Sequence, residues 1–352
     1  MSSTISFGKG PWGLIFFTVM CFAGLAEGAP AQTGSLVLRG AGATFPAPLY
    51  QRWISTFTEQ HPNVQISYAA NGSGEGIRGF LAGELDFAGS DAALSDEQMA
   101  QVKRGAQLVP ATAGIIVIAY HVKGLNGPLK LPRKVYEDIF AGKITRWNAT
   151  GIQAANPDLK LPNENITIVA RLDSSGTTYA FTNHLSAISQ EWRDRGPGTG
   201  KVVDWPGSAM LARGNEGVAS RIKVSEGSIG YMEYGFAKRL GLPMTSLENK
   251  SGRFVEPNDQ SGSETLARNA LQMPENLRLL IPDPIGEEAY PIVTLSWLLL
   301  YQHFPDPAKT FALKQFVTFG LTEGQRDSRE LGYVPLPDEI VSRSLKALDN
   351  IQ

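Results

Sequence analysis

Three times in this chain a β-rich run breaks into glycine and hydroxyl residues and passes directly into a helical pattern. The turns lie at residues 40–45 (GAGATF), 71–76 (NGSGEG) and 171–177 (RLDSSGT). Alternation of short strand and helix argues for an α/β fold. Each turn also delivers a helix start, where unpaired backbone N–H groups and the positive end of the helix dipole face outward. Glycines let a ligand approach that backbone, so each turn is a candidate oxyanion cradle. One such turn is ordinary capping chemistry. Three, each with a Ser or Thr at its tip, make a more specific signal.

The rest of the pattern fits the same class. Leu49, Tyr50, Trp53, Ile54 and Phe57 recur at helical spacing. Residues 64–69 alternate like a strand, Ile77, Phe80 and Leu81 mark a second helix, and 85–88 read as a short strand ending at Ser90-Asp91. Ser95 and Gln98 have capping-box spacing for a third helix. Residues 114–120 (GIIVIAY), 166–170 (ITIVA), 228–236 (SIGYMEYGF) and 291–301 (PIVTLSWLLLY) are further strand candidates, the third turning into helix. Residues 132–144 and 308–319 read as helices. There is no fixed-period repeat and no low-complexity tract.

Residues 1–31 are set apart from the fold. Lys9 gives a positive start, residues 10–26 carry no charge, and Ala29-Pro30-Ala31 offers an A-x-A cleavage site. That order predicts a secretory signal peptide, with Ala26 as the alternative cut point. The apolar run is broken by Gly13 and Gly24, short of the roughly 20 apolar residues of a spanning helix. Cys21, the one cysteine, lies in this segment behind a bulky Met20, which argues against lipid attachment. The exported chain then has no cysteine and must rely on its core, which a chain this long builds as two domains. The formal net charge is −2, with no basic run, so nucleic acid is not expected as a partner.

The three turns and their neighbours supply a donor set suited to a tetrahedral oxyanion. Thr44, Ser73, Ser175 and Thr177 offer hydroxyls, and Phe45, Gly176 and Thr177 offer backbone N–H groups. Arg171 offers a charge-assisted contact, with Asp173 two residues on to hold its guanidinium. The alternative for Arg171 and Asp173 is a solvated surface pair of little energetic weight. Asp91 is the odd member. Beside an anion it makes sense only if the ligand carries a proton for the carboxylate to accept, which phosphate does at neutral pH and sulfate does not. The alternative is a cap on the turn that follows.

These same residues carry a resemblance. The stretches GAGATFPAPLY (40–50), NGSGEGI (71–77), DFAGSDAALSDEQ (86–98), ITRWN (144–148), RLDSSGTTYAFTNHLS (171–186), GNEGVA (214–219) and GSIGYMEYGFA (227–237) resemble the Pst-type phosphate-binding proteins of bacterial ABC transporters. The match runs from about residue 36 to about residue 340. The resemblance implies a two-lobed type II periplasmic-binding-protein fold with a ligand cleft between the lobes and a two-crossing hinge. It implies inorganic phosphate gripped by Thr44, the Phe45 backbone, Ser73, Asp91, Arg171, Ser175, Gly176 and Thr177, with Asp173 orienting Arg171 and Asp91 taking the ligand's proton. Lobe 1 is expected at 36–113 plus 293–352 and lobe 2 at 114–292. The expected protein is a periplasmic monomer with no catalytic residue, metal or cofactor, whose partners are phosphate and the membrane permease. Glu75 in the second turn and the region 254–290 depart from the familiar pattern.

Rival functions have weaker support. Gly74-x-Gly76-x-x-Gly79 fits a dinucleotide fingerprint, but a lone match is weak, and no acidic residue sits at a suitable strand end. A secreted phosphatase-like hydrolase lacks a G-x-S-x-G elbow, and His61, His121, His184 and His303 are scattered. Arsenate, sulfate, molybdate or a phosphonate would keep the fold and change the ligand.

Overall fold

The computed structural model describes residues 35–125 and 128–352. The expected signal segment at 1–31 lies outside the described residues. Eleven strands form among those described. They are β1 (Leu36–Gly42), β2 (Val64–Ala70), β3 (Phe87–Ser90), β4 (Ala106–His121), β5 (Lys130–Leu131), β6 (Thr167–Arg171), β7 (Met210–Ala212), β8 (Ser228–Glu233), β9 (Ser246–Glu248), β10 (Phe254–Val255) and β11 (Val293–Tyr301). Eight of them make one sheet in the order β2-β1-β3-β11-β4-β8-β6-β7, and β10-β9-β5 make a small second one.

The large sheet has two parallel ends and an antiparallel middle. β1 runs parallel to β2 and β3, and β6 runs parallel to β7 and β8. β4 joins the ends: it pairs with β11 over Ala106–Ile115 and with β8 over Ile116–His121. Every residue of β8 and β11 is buried, as expected of strands covered on both faces.

The sequence predicts only 114–120 of β4. The first half was hidden because Gln107, Pro110 and Thr112 interrupt its apolar run. Pro110 lies opposite Trp297, where the register of β11 shifts between Ser296 and Trp297. Its missing N–H therefore falls at an irregularity, the tolerated place for proline in a sheet. The other predicted elements form with small changes of boundary. The Ser95 capping box is present in full, with Gln98 N donating to Ser95 Oγ and Ser95 N to Gln98 Oε1.

Helices follow the three glycine–hydroxyl turns, at Ala47–Gln60, Ser73–Ala82 and Gly176–Ile188. A fourth, Gly214–Val224, follows β7. Glycines admit close approach at two of these junctions. Gly42 has φ +138° with the Gly89 carbonyl where a Cβ would stand. A Cβ on Gly76 would lie 2.6 Å from Gly42 Cα, so the second glycine of the apparent dinucleotide fingerprint serves a close helix–strand contact.

Candidate functional site

The four helix starts meet at one place. β1 ends in the turn that carries Thr44 and Phe45, both buried. Tyr333 Oη donates to the Phe45 carbonyl at 2.6 Å and fixes that turn. Gly72, at φ +106°, caps the helix that begins with fully buried Ser73. Asp91 follows β3 and is 1% exposed. Arg171 ends β6, and Ser175 caps the next helix by accepting the Thr178 N–H at 3.0 Å.

The Arg171–Asp173 pair is buried, which decides against the surface-pair alternative. Nε donates to Asp173 Oδ1 at 2.9 Å and Nη2 donates to Oδ2. Nη1 is buried and has no hydrogen-bond partner among the described residues. Asp173 also accepts the Gly214 N–H at 2.9 Å. Burial would raise its pKa, but the guanidinium and the Gly214 N–H outweigh that and hold the carboxyl below its usual range.

Asp91 stands against these groups. Its Oδ1 accepts Ser296 Oγ at 2.8 Å, its Oδ2 accepts Thr177 Oγ1 at 3.4 Å, and its N–H donates to Ser73 Oγ at 3.3 Å. The carboxylate does not cap its turn: Ser90 Oγ accepts the Ala92 N–H instead. Burial pushes its pKa up to about 7, against the pull of Ser296, Arg171 and Thr177. A Cβ on Gly176 would lie 2.7 Å from Asp91 Cβ, so glycine is what lets that helix start reach the carboxyl.

The 71–76 and 171–177 turns also touch directly. Gly74 N donates to the Ser174 carbonyl at 2.9 Å, and a Cβ on Gly72 would stand 2.6 Å from Asp173 Oδ2. Glu75 points away, to Arg78 at 3.1 Å, and its side chain is 52% exposed. Its charge belongs to the surface.

Thr44, Phe45, Ser73, Asp91, Arg171, Asp173, Ser175, Gly176 and Thr177 thus lie in one buried constellation. Two of its members were not singled out in the sequence. Asn215 bridges Thr44 and Thr177, with Nδ2 at 2.9 and 3.2 Å from their hydroxyl oxygens. Its segment, GNEGVA, shows only a helix start. Ser296 is a hydroxyl near the middle of the apolar run of β11, and its burial beside Asp91 depends on strand pairing. His184, one of the scattered histidines, is a core residue, buried between the Tyr136 hydroxyl, at 2.8 Å, and the Pro282 carbonyl, at 2.7 Å. Burial lowers its pKa to about 4.

A family model described as a PBP superfamily domain matches residues 27–323. A Phosphate-binding protein PstS of Haemophilus influenzae is 38% identical over 315 residues, 89% of this chain and 92% of that protein. The chain belongs to the PstS family. Another PstS, from Methanocaldococcus jannaschii, is 35% identical and covers 95% of this chain and 92% of its own length. Among solved structures, a high-affinity periplasmic phosphate-binding protein bound with phosphate aligns at TM-score 0.71 and 20% identity, covering 87% of this chain and 92% of that one. A phosphate-binding protein from Stenotrophomonas maltophilia aligns at TM-score 0.71 and 19% identity, over 89% and 94% of the two chains. The PstS family fold is the two-lobed binding-protein fold that the resemblance implied.

Proposed function

We propose that the chain binds inorganic phosphate in the periplasm, between its two lobes, and hands it unchanged to the permease subunits of an ABC transporter. The observation that carries this reading is the Arg171 guanidinium. It is buried, held by Asp173 on one edge, and its Nη1 has no partner among the described residues. An unmade buried hydrogen bond costs about 1–3 kcal/mol. An anionic oxygen at Nη1 offsets that cost, and charge-assisted bonds are the strong ones.

The hydroxyls of Thr44, Ser73, Ser175 and Thr177 and the N–H groups of Phe45, Gly176 and Thr177 complete the donors. Asp91 is the acceptor, and an acceptor inside an anion site selects a ligand that still carries a proton. This favours phosphate over sulfate, in keeping with the names of the relatives. Ser73, Ser175 and Thr177 have no histidine base beside them, so the reading includes no chemical step on the ligand.

The lobes follow the two parallel ends of the sheet, with lobe 1 at 36–113 plus 293–352 and lobe 2 at 114–292. β4 changes partner from β11 to β8 between Ile115 and Ile116, which supports a crossing there. Within that division the second lobe reaches back to the first. The Leu277 carbonyl accepts Trp297 Nε1 at 2.8 Å, and Arg278 Nη1 donates to the Leu94 carbonyl at 2.9 Å. Thr44, Ser73 and Asp91 then come from one lobe and Arg171 to Thr177 from the other, so ligand favours closure by its differential affinity. The protein acts as a monomer, exported by a cleaved signal peptide. No helix among the described residues is long and apolar enough to cross a membrane.

The test is calorimetric titration of folded, ligand-stripped protein with phosphate and then sulfate. Tight one-to-one phosphate binding with no sulfate heat supports the reading. Binding of both anions removes the role given to Asp91, and silence to both overturns the function.

A further inference from the structure

Thr44 and Asp173 are each 8% exposed, where Ser73, Asp91, Ser175 and Thr177 show 1% or less. Both line one cavity of about 340 Å³, together with Asn71, Arg213 and Glu216. A second cavity, of about 290 Å³, shares Gln51, Glu216 and Phe236 with the first and continues it to exposed Arg239. The two make a passage from solvent to the edge of the site. Its walls come from both lobes of the proposed division. Gln51 belongs to the helix Ala47–Gln60, Glu216 to Gly214–Val224, and Phe236 and Arg239 to the helix Tyr234–Leu240.

The charges along this passage differ in their partners. Asp173 is held by Arg171 and by the Gly214 N–H. Arg239 lies over the Phe236 ring, its guanidinium carbon 4.4 Å from the centroid. Arg213 and Glu216 are exposed, and neither side chain makes a hydrogen bond or ion pair among the described residues. Gly214 explains where Arg213 stands. It has φ +68°, and a Cβ on it would lie 3.3 Å from Thr44 Cγ2, so this helix start sits directly against Thr44. Arg213 is thereby placed at the inner end of the passage, next to the residue whose N–H bonds Asp173.

An anion moving inward meets the Asp173 and Glu216 carboxylates, and both repel it. The Arg171 guanidinium that would attract it is buried and already paired. An unpaired guanidinium at the inner end offsets that repulsion. We propose that this passage is the route by which phosphate reaches the site, and that Arg213 is its entry residue, drawing the anion past Asp173 and Glu216 and setting the association rate. The inference rests on the phosphate-binding reading and extends it from the grip to the route. A charge at a rim acts on association and its salt dependence, whereas a group that holds the ligand acts on dissociation. Exposed charges are screened beyond about 8 Å at physiological ionic strength, so the effect of Arg213 belongs to low salt.

The experiment uses the full folded protein as wild type, Arg213→Ala, Arg213→Lys and Glu216→Gln, with thermal melts to confirm folding. Rapid-mixing chase of bound radiolabelled phosphate gives koff, calorimetry gives Kd, and their quotient gives kon, at about 10 mM and about 500 mM sodium chloride. Arg213→Ala should lower kon by about three- to tenfold at low salt and leave koff within about twofold. The loss should nearly vanish at high salt. Arg213→Lys should keep most of the wild-type kon, and Glu216→Gln should raise it. An unchanged kon at low salt overturns the proposal. So does a faster koff with unchanged kon, which would make Arg213 a contact of the bound ligand. A loss of kon equal at both salts and not rescued by lysine would give Arg213 a merely structural role and overturn it too. Should Arg213→Ala fail to fold, Arg213→Gln must show the same salt-dependent loss. Wild type that binds no phosphate would instead sink the functional reading, and this inference with it.

Discussion

Ser296 donates its hydroxyl to Asp91 Oδ1 at 2.8 Å, so a strand from the far end of the sequence orients the acidic residue of the site. That bond occupies Oδ1 and leaves Oδ2, with only the long Thr177 contact, to meet a ligand proton.

Asp91→Asn should reduce discrimination against sulfate by about tenfold or more, because an amide can turn a donor toward an unprotonated oxygen. Competition calorimetry with both anions reads this directly. Wild type should show a weaker version with pH. Its Asp91 pKa is raised to about 7, so the carboxyl holds a proton below that value and donates. Sulfate binding should therefore strengthen on going from about pH 8 to about pH 5.5, and Asp91→Asn should lose that dependence.

Arg171→Ala should weaken phosphate binding by about 1.5–3 kcal/mol, the range for hydrogen bonds involving a charged group. It also strands the Asp173 carboxylate in a buried position, which costs about 3–5 kcal/mol of stability when a buried pair loses one partner. Titration and chemical denaturation separate the two effects. Arg171→Ala/Asp173→Ala should recover much of the stability and none of the affinity.

Gly72→Ala should lower affinity by about tenfold or more, since a φ of +106° suits only glycine and the added methyl meets Asp173 where the two turns join. Small-angle scattering should show less compaction with phosphate than in wild type. Equal affinity and equal compaction would mean that the Gly72–Asp173 approach is dispensable.

Glu233 is fully buried, its Oε2 has no hydrogen-bond partner among the described residues, and burial lifts its pKa to about 8. The sign follows from proton counting. The folded state holds the proton over a range where the unfolded state has released it, so stability falls as pH rises from about 4.5 to about 8 and then levels off. Asp91 acts in the same direction over a narrower window. In ligand-free protein, Glu233→Gln should melt higher than wild type at about pH 9 and show no such gain at about pH 4.5.

Much of this architecture was legible because local chemistry decided it. The turn at 171–177 announces a helix start wherever it occurs, since Ser175 caps its own helix and Gly176 opens it. Arg171 and Asp173 sit two apart, close enough for one to hold the other without help from elsewhere. The helix at Ala47–Gln60 and strands such as β2 carry their periodicity in consecutive residues. The amino-acid order alone therefore determined the α/β class, the three cradles and the residue types offered to an anion.

Tertiary structure decided everything that depends on distance across the chain. Whether Asp91 caps a turn or serves a ligand was open until Ser296, 205 positions away, came to lie against it. Asn215 gained its role only by meeting Thr44 across 171 positions, and the first half of β4 became a strand only because β11 pairs with it around Pro110. Burial completed the assignment: the pair at Arg171 and Asp173 would be a minor surface contact in water, and the fold's exclusion of solvent turns the Arg171 Nη1 group, unpartnered among the described residues, into a strong attraction for an anion.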